Sequence, residues 1–381
     1  MAEPYAGLYL VGGTVRDILL GRPNFDVDVA VEGDAIELAG ALAAELSGRC
    51  RPHGQFGTAV VLYGDGKHVD VVTARRETYA EPAALPTVEA AGIEEDLFRR
   101  DFTVNAMAIG LKGNDHGRLV DPFGGQKDLE AGTIRVLHDR SFVDDPTRIF
   151  RAVRYESRFG FHMDEHTEAL AREGVAGIGL LSGARLREEL LELLEEEQAP
   201  TSIVRLGDLD VVPATEATAK LFTRLRELDR RYGLDVPDWR LGLAALGLAL
   251  PSAEVAPFLQ RLQLRRRDAR HIGAAIEDGP RLVEQLRDGG LTASEIVALA
   301  EPDHPDAPLL ALALDDQQAL HEYFDRLQHV KLHIGGADLA DLGLGESPRV
   351  GEILSELRRR KLNGELDGRE SELAAARELL E

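Results

Sequence analysis

The sequence predicts an α+β chain: an α/β head over residues 1–139, then an all-helical remainder. Three observations carry this. Short apolar runs of β type are interleaved with helical stretches as far as Asp139. Beyond it the apolar spacing is helical almost throughout. Hydrophobic residues make up 44% and charged residues 29%, the balance of an ordinary globular protein, and 381 residues leave room for two or three domains.

In the head, Leu8-Tyr9-Leu10-Val11 reads as a strand broken by Gly12-Gly13. Residues 14–20 read as a helix with Gly21 past its end. Residues 25–31 (FDVDVAV) alternate strictly, which puts Asp26 and Asp28 on one face and Val27 and Val29 on the other. Asp34 can cap a helix running to about Leu46. Residues 58–63 and 67–73 read as strands joined by the turn Gly64-Asp65-Gly66. Residues 75–95 hold Pro82, Pro86 and Gly92 with little periodicity and read as one long loop. In the remainder, Asp145-Pro146 opens a helix to about Phe159, and residues 186–197 are strongly helical. Residues 216–330 are helical, with breaks expected at Pro237, Pro251, Gly279-Pro280, Gly289-Gly290 and residues 302–308.

Lys and Arg number 44 against 67 Asp and Glu, a net charge of −23. That acidity argues against indiscriminate nucleic-acid binding but leaves room for a locally basic groove. The single cysteine, Cys50, excludes an intrachain disulfide framework and a multi-cysteine zinc site. No run reaches the ~18–20 apolar residues of a membrane span. Met1-Ala2-Glu3-Pro4 does not open a signal peptide, so a cytoplasmic location is expected.

Five constellations carry chemistry. Gly12-Gly13-Thr14-Val15-Arg16-Asp17 follows a strand and opens a helix, where glycines admit close backbone approach and Arg16 can bond a phosphate. Alone, Gly-Gly is only a tight turn, and the absence of G-x-G-x-x-G disfavours a dinucleotide fold. Asp26 and Asp28 repel each other unless a cation sits between them, and their hard oxygens suit Mg²⁺. Asp70, between Val69 and Val71, adds a third carboxylate that can orient or accept the proton of an attacking hydroxyl if its strand lies beside the first. Arg99-Arg100-Asp101 precedes Phe102-Thr103-Val104-Asn105: an arginine here can reach a triphosphate, and Asp101 can accept from a ribose hydroxyl. Finally, Arg148, Arg151, Arg154 and Arg158 line one helix face. Asp145 beside Arg148 can read a base edge, accepting from the amino group of cytosine or adenine while the guanidinium donates to a ring acceptor. For Arg158 a salt-bridged surface role is a serious alternative.

Together these residues resemble the class II tRNA nucleotidyltransferase/poly(A) polymerase family, the group containing the CCA-adding enzymes. LVGGTVRDILLG, FDVDVAV, EEDLFRRDFTVNAMAI, DPFGGQKDL and DDPTRIFRAVRYESRFGF occur in order, and HIGGADLADLGLGESPRVGEIL is similar to the family's C-terminal motif. The resemblance implies a polymerase-β-like nucleotidyltransferase head with a small mixed sheet (1–139), a helical neck with the nucleotide-selecting motif (140–200), a helical body (201–330) and a helical tail (331–381). It implies that Asp26 and Asp28 bind Mg²⁺, that Gly13, Arg16 and Arg100 hold triphosphate and ribose, and that Asp145 and Arg148, supported by Arg151 and Arg154, select CTP and ATP. The loop over residues 73–96 matches the family's mobile loop, and Arg185-Leu186-Arg187-Glu188-Glu189-Leu190 resembles a neck element shaping the nucleotide pocket. The chain departs from the family in having Asp144-Asp145 where Glu-Asp is usual, and Gly345-Glu346-Ser347-Pro348 where Pro-Gly-Pro is usual.

The expected activity is template-independent addition of C and A to the tRNA acceptor end from CTP and ATP, with release of pyrophosphate. The shared motifs do not separate a full CCA-adding enzyme from A-only, CC-only or poly(A)-adding relatives. A non-catalytic RNA-binding protein and a small-molecule transferase are the rivals from other classes. His138 reads as a surface or neck residue and Trp239 as core. Arg265-Arg266-Arg267 and Arg358-Arg359-Arg360-Lys361 are balanced between solvated helix faces and tRNA contacts.

Overall fold

A computed structural model describes residues 5–23, 26–54, 57–287, 289–301 and 305–380. The readings that fall on Met1-Ala2-Glu3-Pro4, on Phe25 and on Pro302 lie outside those residues. The chain divides into two compact units, Met1–Val212 and Pro213–Glu381.

The first unit opens with β1 (Gly7–Val11), α1 (Gly13–Leu19), β2 (Val27–Glu32), α2 (Ala35–Glu45), β3 (Arg49–His53), β4 (Thr58–Tyr63) and β5 (Lys67–Thr73). Then come β6 (Arg75–Thr78), β7 (Thr87–Ala90), α3 (Ile93–Phe98), β8 (Ala108–Gly110), β9 (Leu119–Val120), α4 (Gly125–Ala131) and β10 (Thr133–Ile134). One mixed seven-stranded sheet runs β3-β4-β5-β2-β1-β8-β9. Its neighbours are antiparallel except β2 and β5, which are parallel. Strand alternation gives the sheet two different faces. One buries Val29, Val31, Ala59, Val61, Val69 and Val71 against Leu38, Ala39 and Ala43 of α2. The other buries Val11, Ala30 and Ala108 against Ile93 and Leu97 of α3. Asp34 caps α2 as its type and position require, accepting from Ile36 N at 2.8 Å and Glu37 N at 3.1 Å.

The unit closes with α5 (Ser141–Asp144), α6 (Thr147–Phe159), β11 (His162–Met163), α7 (Glu165–Gly174), α8 (Gly183–Glu195) and α9 (Ala199–Asp208). Asp145 and Pro146 mark the entry to α6, and Gly160 ends it in the left-handed conformation at φ 70°.

The second unit is helical: α10 (Glu216–Tyr232), α11 (Asp238–Ala249), α12 (Ser252–Arg261), α13 (Arg266–Leu286) and α14 (Ala293–Ala300). It continues through α15 (Asp306–Leu314), α16 (Gln318–Asp325), α17 (Gly336–Asp341), α18 (Pro348–Leu362) and α19 (Gly368–Leu380). The last three share a core of Leu339, Ile353, Leu357, Ala375 and Ala376. No described helix is long and apolar enough to cross a membrane.

Two expectations are corrected, and one strand is added. Residues 75–95 are not one structureless loop: β6 and β7 pair as a hairpin from Arg75↔Ala90 to Thr78↔Thr87, and α3 begins at Ile93. Polar and charged cross-strand pairs such as Arg76–Glu89 hold that hairpin, so it lacks an apolar rhythm. The added strand is β3 at the sheet edge, residues 49–53, which the sequence does not announce because Arg49, Arg51 and Pro52 disguise it. Gly279-Pro280 does not interrupt α13. Gly279 meets Leu310 of α15 so closely that a Cβ would lie 3.2 Å from its side chain, and this tertiary packing keeps the helix whole through the proline.

Leu97 is fully buried between α3 and the sheet. Leu97→Ala should cost about 2–5 kcal/mol in denaturant unfolding, whereas Asp34→Ala, at the exposed cap, should cost about 1 kcal/mol. Equal losses would contradict this assignment of the core.

Candidate active site

The parallel register of β2 and β5 sets Asp28 directly beside Asp70 on one sheet face. Asp26 sits immediately before β2 with its side chain exposed, and His68 Nε2 lies 3.4 Å from Asp26 Oδ1 and 3.9 Å from Asp70 Oδ2. Thr14, in the first turn of α1, ties this region down. Its hydroxyl donates to the Asp26 carbonyl at 2.9 Å and accepts from Asp28 N at 3.0 Å. Burial pushes the Asp28 carboxyl up to about 6, and Asp70 and Asp26 push the same way against the pull of Arg100. Among the described residues, no group of three or more His, Cys, Asp or Glu is arranged to hold a metal ion.

Gly12 has φ 67°, and a Cβ there would lie 2.6 Å from Arg100 Nη1. The turn therefore needs glycine both for its conformation and for the guanidinium packed on it. Arg100 Nη2 donates to Asp96 Oδ2 at 2.9 Å, while its Nε is buried without an acceptor among the described residues. Arg99 shares Asp96 at 2.7 Å and reaches Glu77 at 3.1 Å. Arg16 is placed differently from the expectation. Its guanidinium is buried, bonded to Asp17 at 2.9 Å and Asn105 at 2.8 Å, and lies 4.5 Å from the centre of the Phe159 ring.

Asp101 is also committed within the protein. Oδ1 accepts from Asn105 Nδ2 at 2.9 Å, and Oδ2 accepts from Arg151 Nη2 at 2.7 Å. Burial alone would raise its carboxyl, yet Arg151 and Asn105 hold it at about 2. On α6, Arg148 donates to Ser141 Oγ at 2.7 Å and to the Arg99 carbonyl at 2.8 Å. Asp145 Oδ1 accepts from Thr147 N at 3.0 Å and from Arg185 Nη2 at 2.7 Å, while Arg185 Nη1 holds the Ala83 carbonyl at 2.8 Å. Arg154 pairs with Glu192, and Arg158 pairs with Glu196 at 3.4 Å, which is the salt-bridged alternative weighed for it.

A cavity of ≈ 310 Å³ gathers Gly12, Gly13, Asp28, Arg100, Asp101, Asp145, Arg148 and Arg151 on one wall system. Of the expected residues, Asp26, Asp70, Arg16 and Arg154 do not line it. Glu77, Tyr79, Asn105 and Tyr155 also line it and were not anticipated as site residues, and Arg99, offered with Arg100 as a triphosphate-reaching arginine, lines it too. Glu77 and Tyr79 belong to the segment read as a loop, where no local pattern marks them. Asn105 stood in the quoted RRDFTVN run, and its pairing with Asp101 four residues away was the available signal. A larger cavity of ≈ 910 Å³ shares Glu77, Tyr79, Arg99 and Arg148 with it and is lined also by Phe98 and His138, whose rings lie 5.4 Å apart. Glu189 on α8 has a buried, unbonded Oε2. Burial pushes its carboxyl up to about 7, with Glu192 and Asp145 adding to the rise and Arg151 and Arg154 opposing it. In the second unit, Arg358, Arg359, Arg360 and Lys361 are all ion-paired with glutamates.

The Poly A polymerase head domain family matches residues 8–135. The A-adding tRNA nucleotidyltransferase of Geobacter sulfurreducens is 36% identical over 393 residues, an alignment covering 97% of this chain but 44% of that protein. The A-adding tRNA nucleotidyltransferase of Halalkalibacterium halodurans is 34% identical over 384 residues, covering 97% of this chain and 88% of that one. Among solved structures, the Thermotoga maritima CCA-adding enzyme complexed with tRNA superposes with a TM-score of 0.80 at 33% identity, covering 98% of this chain and 92% of that one. A CCA-adding enzyme complexed with CTP gives a TM-score of 0.82 at 34% identity, with coverages of 98% and 91%. Similarity of this extent, in sequence and in fold alike, places the chain in the class II tRNA nucleotidyltransferase/poly(A) polymerase family.

Proposed function

We propose that the chain extends tRNA 3′ ends with C and A, the CCA sequence or part of it, from CTP and ATP. The single observation that carries this reading is the ≈ 310 Å³ cavity, in which a strand-borne acid, Asp28, shares walls with Asp145 and Arg148 of the helical neck. The relatives named for A addition and the solved relatives bound to tRNA and CTP support the same reading. Residues 1–139 serve as head, 140–200 as neck, 201–330 as body and 331–381 as tail, and the setting is cytoplasmic.

The donor set fits Mg²⁺. The raised Asp28 carboxyl, which Asp70 and Asp26 push up further, belongs to a group of hard oxygens whose mutual repulsion a dication relieves. Mg²⁺ is held by one or two carboxylates and completes its shell with phosphate and water, so a full protein cage is not required. Asp26 and Asp28 would hold the ion, which when bound neutralises phosphate charge and makes the tRNA 3′-hydroxyl a better nucleophile. The hydroxyl oxygen attacks the α-phosphorus, the bond to the bridging oxygen breaks, and pyrophosphate leaves. Asp70 orients the hydroxyl or takes its proton. Arg100, whose Nη1 packs over Gly12, supplies a guanidinium donor to the triphosphate across the Gly12-Gly13 turn.

Selection needs no nucleic-acid template. The Asp145 carboxylate accepts from the exocyclic amino group of cytosine or adenine, and Arg148 donates to the ring acceptor. Uracil and guanine present a carbonyl to the carboxylate instead. Arg185 and Thr147 fix Asp145 Oδ1, so the reading group is held before a base arrives. Arg151 acts through Asp101, and Arg154 braces the same helix against α8.

Labelled tRNA ending in the discriminator base, in C or in CC, offered each nucleotide separately, tests the reading. The expected outcome is incorporation of C or A and of neither U nor G, and the substrates extended report how much of the CCA the chain adds. No extension of any of the three would overturn it. Arg148→Ala should relax discrimination against UTP and GTP by roughly 5–150-fold, the ~1–3 kcal/mol of one bidentate contact. Unchanged selectivity would remove the template role.

Asp28→Asn should lower incorporation about a thousandfold with the fold intact by circular dichroism, on the order of 4 kcal/mol of transition-state stabilisation. In the wild type, Asp28 must be ionised to bind the metal. Because its carboxyl is held at about 6 rather than 3.8, activity at limiting Mg²⁺ should fall as pH drops through 6. Binding favours the ionised form, so raising Mg²⁺ should shift that limb to lower pH. A limb indifferent to Mg²⁺ would contradict the assignment.

A further inference from the structure

The sheet face that carries the acids does not end at them. Register fixes what lies across it: Asp70 of β5 pairs with Val60 of β4, which pairs with Arg51 of β3. In the same way His68 pairs with Leu62 and Leu62 with Arg49, while Thr58 pairs with His53. Residues paired directly across a sheet share a face, so Arg49, Arg51 and His53 stand on the acid-bearing face. Two strand spacings, about 10 Å, separate Arg51 from Asp70.

That part of the face is open. Arg49, Arg51 and His53 are exposed, and Val60 and Leu62 between them and the acids are half-buried and belong to neither core cluster. The opposite face at the same strands is packed: Ala59 and Val61 are buried beneath α2, and Cys50 of β3 packs with them. Neither Arg49 nor Arg51 makes an ion pair or a side-chain hydrogen bond with a described residue. In a chain of net charge −23, where Arg151, Arg154, Arg358 and Arg359 are paired with acids, these two guanidiniums remain available to an anion. Charge on an edge strand commonly deters pairing with another chain. Here, however, both arginines fall on the one face that leads to the acids.

We propose that Arg49 and Arg51, with His53 beside them, form a phosphate track for the 3′-terminal single strand of the RNA, guiding its end across Val60 and Leu62 to Asp28 and Asp70. The proposal rests on the tRNA-extending reading above and names the surface that reading lacks, the approach of the primer to the acids. An RNA strand suits this surface because its backbone matches a row of guanidiniums, while its riboses and bases suit the half-apolar floor between. The nucleoside triphosphate has its own cavity, so the track distinguishes primer from incoming nucleotide.

The test is Arg49→Ala/Arg51→Ala beside Arg49→Lys/Arg51→Lys, on the full chain with tRNA. The alanine pair should raise the KM for tRNA roughly tenfold at low salt, leave the KM for ATP unchanged, and make the log–log salt dependence of tRNA affinity shallower by about 1.4, near 0.7 for each phosphate contact on a single strand. The lysine pair should recover most of the affinity. Wild-type KM and salt slope in the alanine pair would overturn the track, as would a loss confined to kcat. Affinity for tRNA measured by fluorescence anisotropy reads the track even if no nucleotide is incorporated, so its failure and failure of the extension reading are told apart.

Discussion

Asp96 has no exposed surface, and two guanidiniums keep it charged there. Burial would raise its carboxyl, yet Arg100 and Arg99 hold it below the usual carboxylate range. The cleft depends on this arrangement. Arg100 is positioned over Gly12 by Asp96, and the Arg99 carbonyl in turn receives Arg148 from α6. Asp101, five residues on, clamps Arg151 of the same helix. One short stretch after α3 thus orients the arginines on both sides of the cavity. Removing a partner from such a buried pair typically costs about 3–5 kcal/mol, because the remaining charge is stranded.

On the proposed reading, the same logic explains how a strongly acidic chain would handle polyanions. Many of its arginines are paired with carboxylates of the same chain, while others, such as Arg148 in the cleft and Arg49 and Arg51 on β3, are left to face an anion. Long-range repulsion from the bulk charge and short-range attraction at those places then respond to salt with opposite signs: screening eases the encounter and weakens the grip.

What the sequence made legible is what short-range spacing encodes. The strict alternation through Asp26 and Asp28, the glycine pair before α1, and the Asp145-to-Arg148 entry of α6 each announce themselves within one turn or one strand. Partnerships across the chain do not. Arg185 meets Asp145 forty residues away and Ala83 at a separation of 102, and neither neighbourhood signals the other. Arg16 and Arg154 have the right charge in the right motifs, but Asn105 and Glu192 claim their guanidiniums in the folded chain. The β6–β7 hairpin escaped notice because polar pairs hold it, and β3 because arginine and proline are poor advertisements for a strand.

The Thr14 hydroxyl holds one distance in the site constant. By joining the glycine turn to the Asp26 carbonyl and the Asp28 amide, it fixes the distance between that turn and the acid pair, which on the proposed reading are the ends of the site that face phosphate and the attacking hydroxyl. On the proposed reading, whichever letter is being written, the bond-making geometry is the same. On that reading, alphabet and penmanship belong to separate parts of the fold, so a change at Asp145 or Arg148 alters the first and leaves the second in place.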